Sequence, residues 1–184
     1  MPGYAYGLPA KECAAGGALR RVPGSVCSSC YALKGNYMFP GVQAAQYRRL
    51  ESLKDPRWVD AMVYLVKCLN MRYFRWHDSG DLQSPAHLGM LAEVARRCRG
   101  VQFWLPTRER IFVYSWVKAN GPLPGNLVVR VSAAMIDGEP PDFPNTSTVV
   151  TGQASCPAPS QGGECGTCRR CWNPRVKNVS YHKH

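Results

Sequence analysis

The chain contains nine cysteines, and a group of four near its end constrains the fold most. Cys156, Cys165, Cys168 and Cys171 have the spacing C-x8-C-x2-C-x2-C in a segment interrupted by glycines and prolines. Two overlapping CxxC steps bring three sulfurs towards one point, and Cys156 can fold back to supply a fourth. Long stretches without regular structure are uncommon in compact domains, so this segment needs a metal centre as its core. The closely spaced triple favours a 4Fe–4S cluster over zinc, the alternative metal, because zinc sites usually use two separated CxxC pairs.

A second group, Cys13, Cys27 and Cys30, stands near the start of the chain, with Tyr31 directly after the last cysteine. Three thiolates leave a metal centre one ligand short, and an open position is typical of catalytic metal sites. Another side chain, a substrate or a cofactor can fill it. Alternatively, Cys27 and Cys30 share one metal with two C-terminal cysteines, since spacing alone does not assign partners. The sequence therefore predicts one or two iron–sulfur clusters.

The 184 residues include 23 lysines and arginines against 12 aspartates and glutamates, a formal charge of +11. Such a field attracts anions, including nucleotides and nucleic acids, without specifying which. The longest apolar run, Ala61–Val66, is far shorter than the roughly 20 residues of a membrane-spanning helix. Because Met1–Tyr6 also lacks the features of a signal peptide, we expect a cytoplasmic protein without membrane contact.

Hydrophobic periodicity in the middle of the chain alternates between helices and short strands. The patterns predict helices over residues 42–53 and 58–69, from Ser84-Pro85 onward and over 107–119, and strands over residues 71–76, 101–105, 127–131 and 148–150. These steps indicate parallel βα units, so we expect an α/β fold, either a partial (β/α) barrel or an open parallel sheet. We expect the core and the first cysteine loop to occupy residues 1–150, and the second cysteine group with a basic tail to occupy residues 151–184.

Chemistry in parallel βα folds collects at the carboxyl ends of the strands, where residues 77–81, 106–108 and 132–134 are predicted to lie. His77, Asp78 and Asp81 can there bind a cofactor amine, complete a metal site or transfer a proton. Alternatively, the two aspartates cap the helix that begins near Pro85.

Arg108 and Arg130 also lie near the ends of predicted strands. A guanidinium in such a place can hold a carboxylate or a phosphate through two parallel hydrogen bonds. The alternative is that each is an ordinary solvated or ion-paired arginine.

Three of these elements together resemble the bacteriophage family known as gene product 88. Members of that family share a CxxCYA element, a strand ending in His-Asp-Ser-Gly-Asp, and a late cysteine cluster followed by tryptophan. The elements stand here at Cys27–Ala32, His77–Asp81 and Cys156–Trp172, so the resemblance spans nearly the whole chain. It implies a phage protein in the host cytoplasm and carries no activity with it.

A looser resemblance is to radical S-adenosylmethionine enzymes. Those enzymes place three cysteines after the first strand of a partial βα barrel, with an aromatic residue beside the last, as Tyr31 stands beside Cys30. A Gly-Gly-Glu element after their second strand contacts the methionine part of the cofactor, and here Ser79-Gly80-Asp81 follows the strand that ends at Trp76. The spacing C-x13-C-x2-C departs from the usual C-x3-C-x2-C, so the architecture can be shared without the cofactor.

Two hypotheses of function follow. In the first, the chain is an iron–sulfur protein with a radical-SAM-like core, in which Cys13, Cys27 and Cys30 hold an open-site cluster that binds S-adenosylmethionine or a similar small ligand. Its cofactor-binding residues are then His77, Asp78, Ser79, Gly80, Asp81 and Arg108. In the second, a metal stabilises a non-catalytic module that binds nucleic acid. The binding would use the positive charge of the module, the side chains of Trp76, Trp104 and Trp172, and a basic tail of Lys177, Tyr181, His182, Lys183 and His184.

Overall fold

A six-stranded sheet lies at the centre of the structure, a computed structural model that describes residues 1–183. Its strands are β1 (Tyr4–Tyr6), β2 (Tyr73–Trp76), β3 (Gln102–Thr107), β4 (Leu127–Ile136), β5 (Thr146–Val150) and β6 (Asn178–His182). All six run parallel and follow one another in the order of the chain, from β1 at one edge to β6 at the other. The expected α/β class with an open parallel sheet is confirmed.

The helices are α1 (Ala14–Leu19), α2 (Pro40–Ser52), α3 (Trp58–Cys68), α4 (Pro85–Arg97) and α5 (Arg110–Asn120). Ser84 begins α4, since its hydroxyl accepts a hydrogen bond from the His87 N–H (3.1 Å) and Pro85 follows in the first turn. The alternative that Asp78 and Asp81 cap this helix is therefore wrong. Over residues 1–183, no helix has the length and apolar character needed to cross a membrane.

The order of the strands decides where the helices lie. Consecutive parallel strands joined by right-handed crossovers place every connecting helix on the same face of the sheet. The main core accordingly combines side chains of α3, α4 and α5 with alternate strand residues, among them Phe74, Trp76, Phe103 and Leu105. Burial of this apolar face is the main source of the stability of the fold.

The opposite face of the sheet is covered by the irregular segment 151–177. Trp104 on β3 and Val179 on β6 form a small second core with Cys171 and Trp172. The Trp172 and Trp104 rings meet edge to face with centroids 5.2 Å apart, and Trp172 Nε1 donates a hydrogen bond to the Phe74 carbonyl (2.9 Å). The segment that carries the late cysteines is therefore packed directly on the sheet.

The end of the chain differs from the expected basic tail. Residues 178–182 form β6, which pairs in parallel with β5 over its whole length. Val179 and Tyr181 alternate along β6 and both pack in the second core. Two apolar residues at alternate positions are too short a pattern to predict a strand from the sequence. The C-terminal part of the chain thus completes the same sheet as residues 1–150, and His184 lies outside the described residues.

The tryptophans expected to contact nucleic acid are buried. Trp76, Trp104 and Trp172 are at most 5% exposed, and each packs against other aromatic rings of the sheet. Bases cannot stack on these side chains in this fold, so this part of the nucleic-acid hypothesis is wrong.

Candidate functional site

A cavity of about 650 Å³ opens at the carboxyl ends of the strands. Residues predicted to bind a cofactor line it, namely His77, Asp78, Ser79, Gly80, Asp81 and Arg108. Cys13, Cys27 and Cys30 line it as well, whereas the C-terminal cysteines are not among the described residues that do. The volume is typical of a site for a small molecule. The structure thus brings the predicted residues together, and their role as ligands stays a prediction.

The N-terminal cysteines approach one another because the chain turns back on itself after β1. Cys13 directly precedes α1, and Cys27 lies in a short 3₁₀ turn. Gly16 lies between them: a Cβ there would be 2.9 Å from Cys13 Cβ and 3.7 Å from the sulfurs of both Cys13 and Cys27. The two sulfurs therefore flank the same small residue, and a larger side chain at position 16 would displace Cys13.

Contacts with two strand ends hold this cysteine loop over the cavity. The buried carboxylate of Glu109, after β3, accepts a hydrogen bond from the Ala15 N–H (2.7 Å). At the end of β4, the Ile136 N–H donates to the Gly24 carbonyl (3.0 Å). The positions of the cysteines thus depend on the same strands that form the cavity wall.

The surroundings of the thiols favour their neutral form. Burial, followed by the negative charge of Asp81, raises the pKa of Cys13 to about 12. Burial also raises the pKa of Cys27, and the nearby Arg108 opposes that rise. A cationic centre would reverse this balance, since metals bind the thiolate and release its proton.

The segment after β2 is locked against the residues that follow β1. His77 has a φ of +54°, a conformation that is unusual for a residue with a side chain. Its N–H donates to the Tyr6 carbonyl (2.7 Å), and Ser79 Oγ donates to the Leu8 carbonyl (2.9 Å). Gly80 approaches Leu8 so closely that a Cβ would lie 2.6 Å from Leu8 Cβ, and its φ is +74°. Only glycine fits at this point.

Asp81 joins the ends of β2 and β3. Its carboxylate accepts hydrogen bonds from the Leu82 N–H, the Thr107 hydroxyl and the Arg108 N–H. Burial raises the pKa of Asp81 to about 6, although these hydrogen bonds oppose the rise. Arg108 in turn donates from Nε to the Ala133 carbonyl (3.2 Å). The two residues therefore shape the cavity wall through contacts within the protein.

Asp78 links the cysteine loop to the loop after β2. Tyr31, which follows Cys30, donates its hydroxyl proton to the Asp78 carbonyl, and Tyr37 donates to Asp78 Oδ2 (3.2 Å). Burial and the neighbouring Asp78 charge raise the pKa of Tyr37, so its hydroxyl stays a donor. The aromatic residue beside the last cysteine thus serves to connect the two predicted site segments.

Two buried histidines lie beside each other at the cavity: His77 lines it, and His87 lies next to His77. The ring centroids of His77 and His87 are 5.4 Å apart, and within residues 1–183 neither ring nitrogen of His77 has a hydrogen-bond partner. Burial lowers the pKa of His77 well below its usual value and lowers that of His87 to about 4. Both rings are therefore neutral at pH 7. The predicted roles of His77 in metal binding or proton transfer stay predictions.

The C-terminal cysteines form a separate group next to β6. Cys171 is buried, and its sulfur lies 3.1 Å from the hydroxyl oxygen of Tyr181. Burial raises the pKa of Cys171 to about 11, and the charges of Cys156 and Cys165 contribute to the rise. The Cys168 N–H donates to the Cys165 carbonyl (2.9 Å), which closes the turn between them. A metal shared between the two ends of the chain, and a separate metal in each group, both stay predictions.

Arg130 has a role that sequence reasoning missed. It is fully buried, so the interpretations as a ligand-binding or solvated arginine are both wrong. Its guanidinium donates to six backbone carbonyls, those of Thr146, Arg170, Cys171, Asn173, Val176 and Lys177. The only signal in the sequence was a single arginine inside an apolar strand. Arg130 therefore holds the segment around Cys171 on the sheet.

Arg75 is a cavity residue that sequence reasoning also missed. It alternates with Phe74 and Trp76 along β2, and its neighbours on both sides point into the main core. The period of two that defines a strand therefore places Arg75 on the opposite face. That alternation was the signal that could have assigned it to the site.

The fold and the site define a class of protein: an α/β protein with an open parallel sheet, helices packed on one face of that sheet, and a cysteine-lined cavity at the carboxyl ends of its strands. Within that class, the family model described as Gene product 88 matches residues 1–174, and the chain belongs to this phage family. No curated protein and no solved structure matches the chain, so the looser resemblance to radical S-adenosylmethionine enzymes gains no support from these comparisons.

Proposed function

We propose that this protein is an iron–sulfur protein in which Cys13, Cys27 and Cys30 hold a cluster with one open coordination position. The open position faces the cavity and receives a small-molecule ligand, with S-adenosylmethionine as a candidate. One observation carries the proposal: three thiols from the segment after β1 line a single cavity at the carboxyl ends of the strands. A cavity of this kind is where α/β proteins usually bind ligands.

The proposed cluster differs from a single metal ion in the ligand spacing that it requires. Within residues 1–183, no three His, Cys, Asp or Glu side chains lie close enough together to hold one metal ion. A cluster sets its thiolate ligands farther apart than a single zinc ion does, because several irons and sulfides lie between them. Gly16 leaves room beside the sulfurs of Cys13 and Cys27 that any side chain would reduce. A bound cluster with an open iron would supply electron transfer and a coordination position for the ligand.

The residues of the chain itself would orient the ligand and limit its contact with water. Asp81 and Arg108 are fixed by hydrogen bonds across the strand ends, so they present rigid polar groups with little reorganisation on binding. Tyr31 and Tyr37 cover the side of the cavity near Asp78. Ser79 and Gly80 act through the shape of the backbone, because the Ser79 hydroxyl is already bonded to Leu8 and to Gln46.

Two features support a radical-SAM-like core as part of this proposal. The sheet has consecutive parallel strands with helices on one face, and the three cysteines follow β1 while Ser79-Gly80-Asp81 follows β2. The order of these segments agrees with the resemblance, whereas the sheet is open and is not the partial barrel that the resemblance implied. The C-x13-C interval, which contains α1, is longer than the interval in radical S-adenosylmethionine enzymes. The chain departs from their pattern at this point.

For the second group, we propose that Cys156, Cys165, Cys168 and Cys171 hold a fully ligated cluster, with zinc as the alternative metal. The charges of Cys156 and Cys165 act on the Cys171 thiol, and Cys171 packs with Trp104 and Trp172 in the second core. Four protein ligands leave no open position, so this centre would order the segment 151–177 and would not bind the ligand.

Anaerobic purification tests the proposal. We expect brown protein with about eight irons and eight sulfides per chain and a broad absorption band in the visible range. The triple variant C13S/C27S/C30S should retain about half of the iron, and a variant with serine at the four C-terminal positions should retain the other half. C98S is the matched control, since Cys98 is buried in the main core away from both groups.

Colourless protein that contains zinc in both groups, or no metal at all, would contradict the proposal. Loss of all iron in C13S/C27S/C30S would indicate one cluster shared between the two groups instead of two. Titration of the intact brown protein with S-adenosylmethionine, followed by electron paramagnetic resonance, then tests the open position. An unchanged spectrum of the reduced cluster would reject S-adenosylmethionine as the ligand.

The alternative hypothesis, a metal-stapled module that binds nucleic acid, rests on the net charge of +11. The three tryptophans no longer support this hypothesis, because they are buried. It predicts binding to DNA or RNA whose affinity falls steeply as the salt concentration rises, measured by fluorescence anisotropy. We place it second because the cavity residues have no part in it.

A further inference from the structure

Within residues 1–183, Arg75 forms no ion pair with a carboxylate, although the charge of Asp78 acts on it. Its Nη2 reaches only long contacts of 3.5 Å, to the hydroxyl oxygen of Tyr31 and to the carbonyl oxygen of His77, and its Nε has no hydrogen-bond partner. The nearest acidic side chain in this part of the cavity, Asp78, accepts a hydrogen bond from Tyr37. A guanidinium with so few close hydrogen bonds keeps N–H donors available for an anionic ligand.

The position of the Arg75 side chain is nonetheless well defined. Its guanidinium carbon lies 4.6 Å from the centre of the Trp104 ring, and Trp104 stacks on Tyr181 with 6.3 Å between ring centroids. Arg75, Trp104 and Tyr181 all line the cavity. Stacking on an indole favours an arginine that presents its flat edge to a planar anion.

The cavity as a whole also favours an anion. The charged residues that line it are Arg20, Arg75, Arg108 and Lys183 on the positive side and Asp78 and Asp81 on the negative side. The Asp81 carboxylate is occupied by three hydrogen bonds from the protein. The net charge of the side chains that line the cavity is therefore positive, which attracts an anionic ligand.

We propose that Arg75 is the anion-binding residue of this cavity, and that it holds a carboxylate or phosphate group of the small ligand beside Trp104. The inference deepens the proposed function, because it assigns the chemical class of the ligand at the same site. It does not depend on the presence of a cluster, since Arg75 is on β2 and does not belong to the cysteine loop.

The test measures the binding of two simple anions, citrate as the carboxylate probe and pyrophosphate as the phosphate probe. Dissociation constants are obtained by calorimetry and by the rise in melting temperature at constant ionic strength. The proteins are wild type, R75Q, R75K and R96Q. Arg96 is the matched control, because it also stacks on a tryptophan (Trp116, 5.9 Å) but lies on α4, away from the cavity.

We expect at least one anion to bind wild type and R96Q alike, and R75Q to weaken that binding at least tenfold. R75K should fall in between, since it keeps the charge and loses the planar fork. The stronger of the two anions identifies the ligand group. Equal binding by wild type and R75Q, or no binding by wild type at about 10 mM anion, would overturn the inference. Iron content, measured on the same samples, reports separately on the cluster, so the two proposals can fail independently.

Discussion

Replacing Arg130 by methionine should be one of the most damaging single changes in this protein. The guanidinium donates to six carbonyls, and the change R130M keeps most of the volume while it removes every donor. Each buried carbonyl left without a partner costs about 1–3 kcal/mol. Water can reach the exposed turn around Asn173, so we count two or three buried carbonyls and expect a loss of about 3–5 kcal/mol. A domain of ordinary stability has only about 5–15 kcal/mol in total.

Urea denaturation followed by circular dichroism measures this loss as a shift of the transition midpoint. The matched control is R175M, which removes the same charge from an exposed position in the same segment. Labelling of Cys171, which is 9% exposed in the native structure, provides a local readout. We expect R130M to make this thiol react much faster than it does in R175M. If the two variants differed by less than about 1 kcal/mol, the hydrogen bonds of Arg130 would not hold the segment as argued.

Two further predictions follow from the site. G16A should reduce the iron content of anaerobically purified protein, because the new Cβ would lie 2.9 Å from Cys13 Cβ. G17A is the control and should leave the iron content unchanged, since no atom lies within 4 Å of a Cβ at position 17. Equal iron content in the two variants would contradict this role of Gly16. Wild type should lose stability as the pH falls from about 6.5 to 4, because unfolding releases His87 from a buried site where its pKa is about 4 and allows it to bind a proton. H87L should make the unfolding free energy less dependent on pH in this window, by up to about 3 kcal/mol. Asp81 acts in the opposite direction, since its pKa of about 6 makes its contribution fall as the pH rises from about 4 to 6. An unchanged pH profile in H87L would refute the assignment.

The sequence predicted the middle of the fold well because each of those strands carries its own apolar signal. Leu127–Val131 and Val101–Leu105 are apolar runs that are each interrupted by one polar residue, Arg130 and Gln102, as expected for strands that are largely buried on both faces. β1 spans three residues and β6 five, and their partners lie far away in the chain, so pairing with the sheet and not local propensity decides their structure. The periodicity of the sequence therefore did not predict β1 and β6 as strands.

Some residues of the candidate site could be predicted from the sequence, and others could not. The cysteines and the segment His77–Asp81 could be identified because their residue types and spacing are unusual in any fold. The roles of Arg75 and Arg130 could not, because they depend on which distant groups the fold brings to each guanidinium. For Arg130 these groups are six carbonyls, of which four lie more than forty positions along the chain, such as that of Val176 (46 residues away). For Arg75 the deciding facts are the Trp104 ring that the fold places beside it and, within residues 1–183, the lack of an ion pair.

The two faces of the sheet explain why cysteines are concentrated at both ends of this chain. Among the described residues, the helix-covered face buries a core of twenty-one side chains, while the other face has a cluster of four. A cover with so little apolar area contributes little through burial, so other interactions have to hold it in place. Arg130 supplies one set, and a metal centre at the late cysteines would supply a second. Because Tyr181 both contacts Cys171 and lines the cavity, the order of that cover is coupled to the shape of the ligand site. Metal loading of the second group should therefore affect anion binding at Arg75 even though the two sites share no ligand.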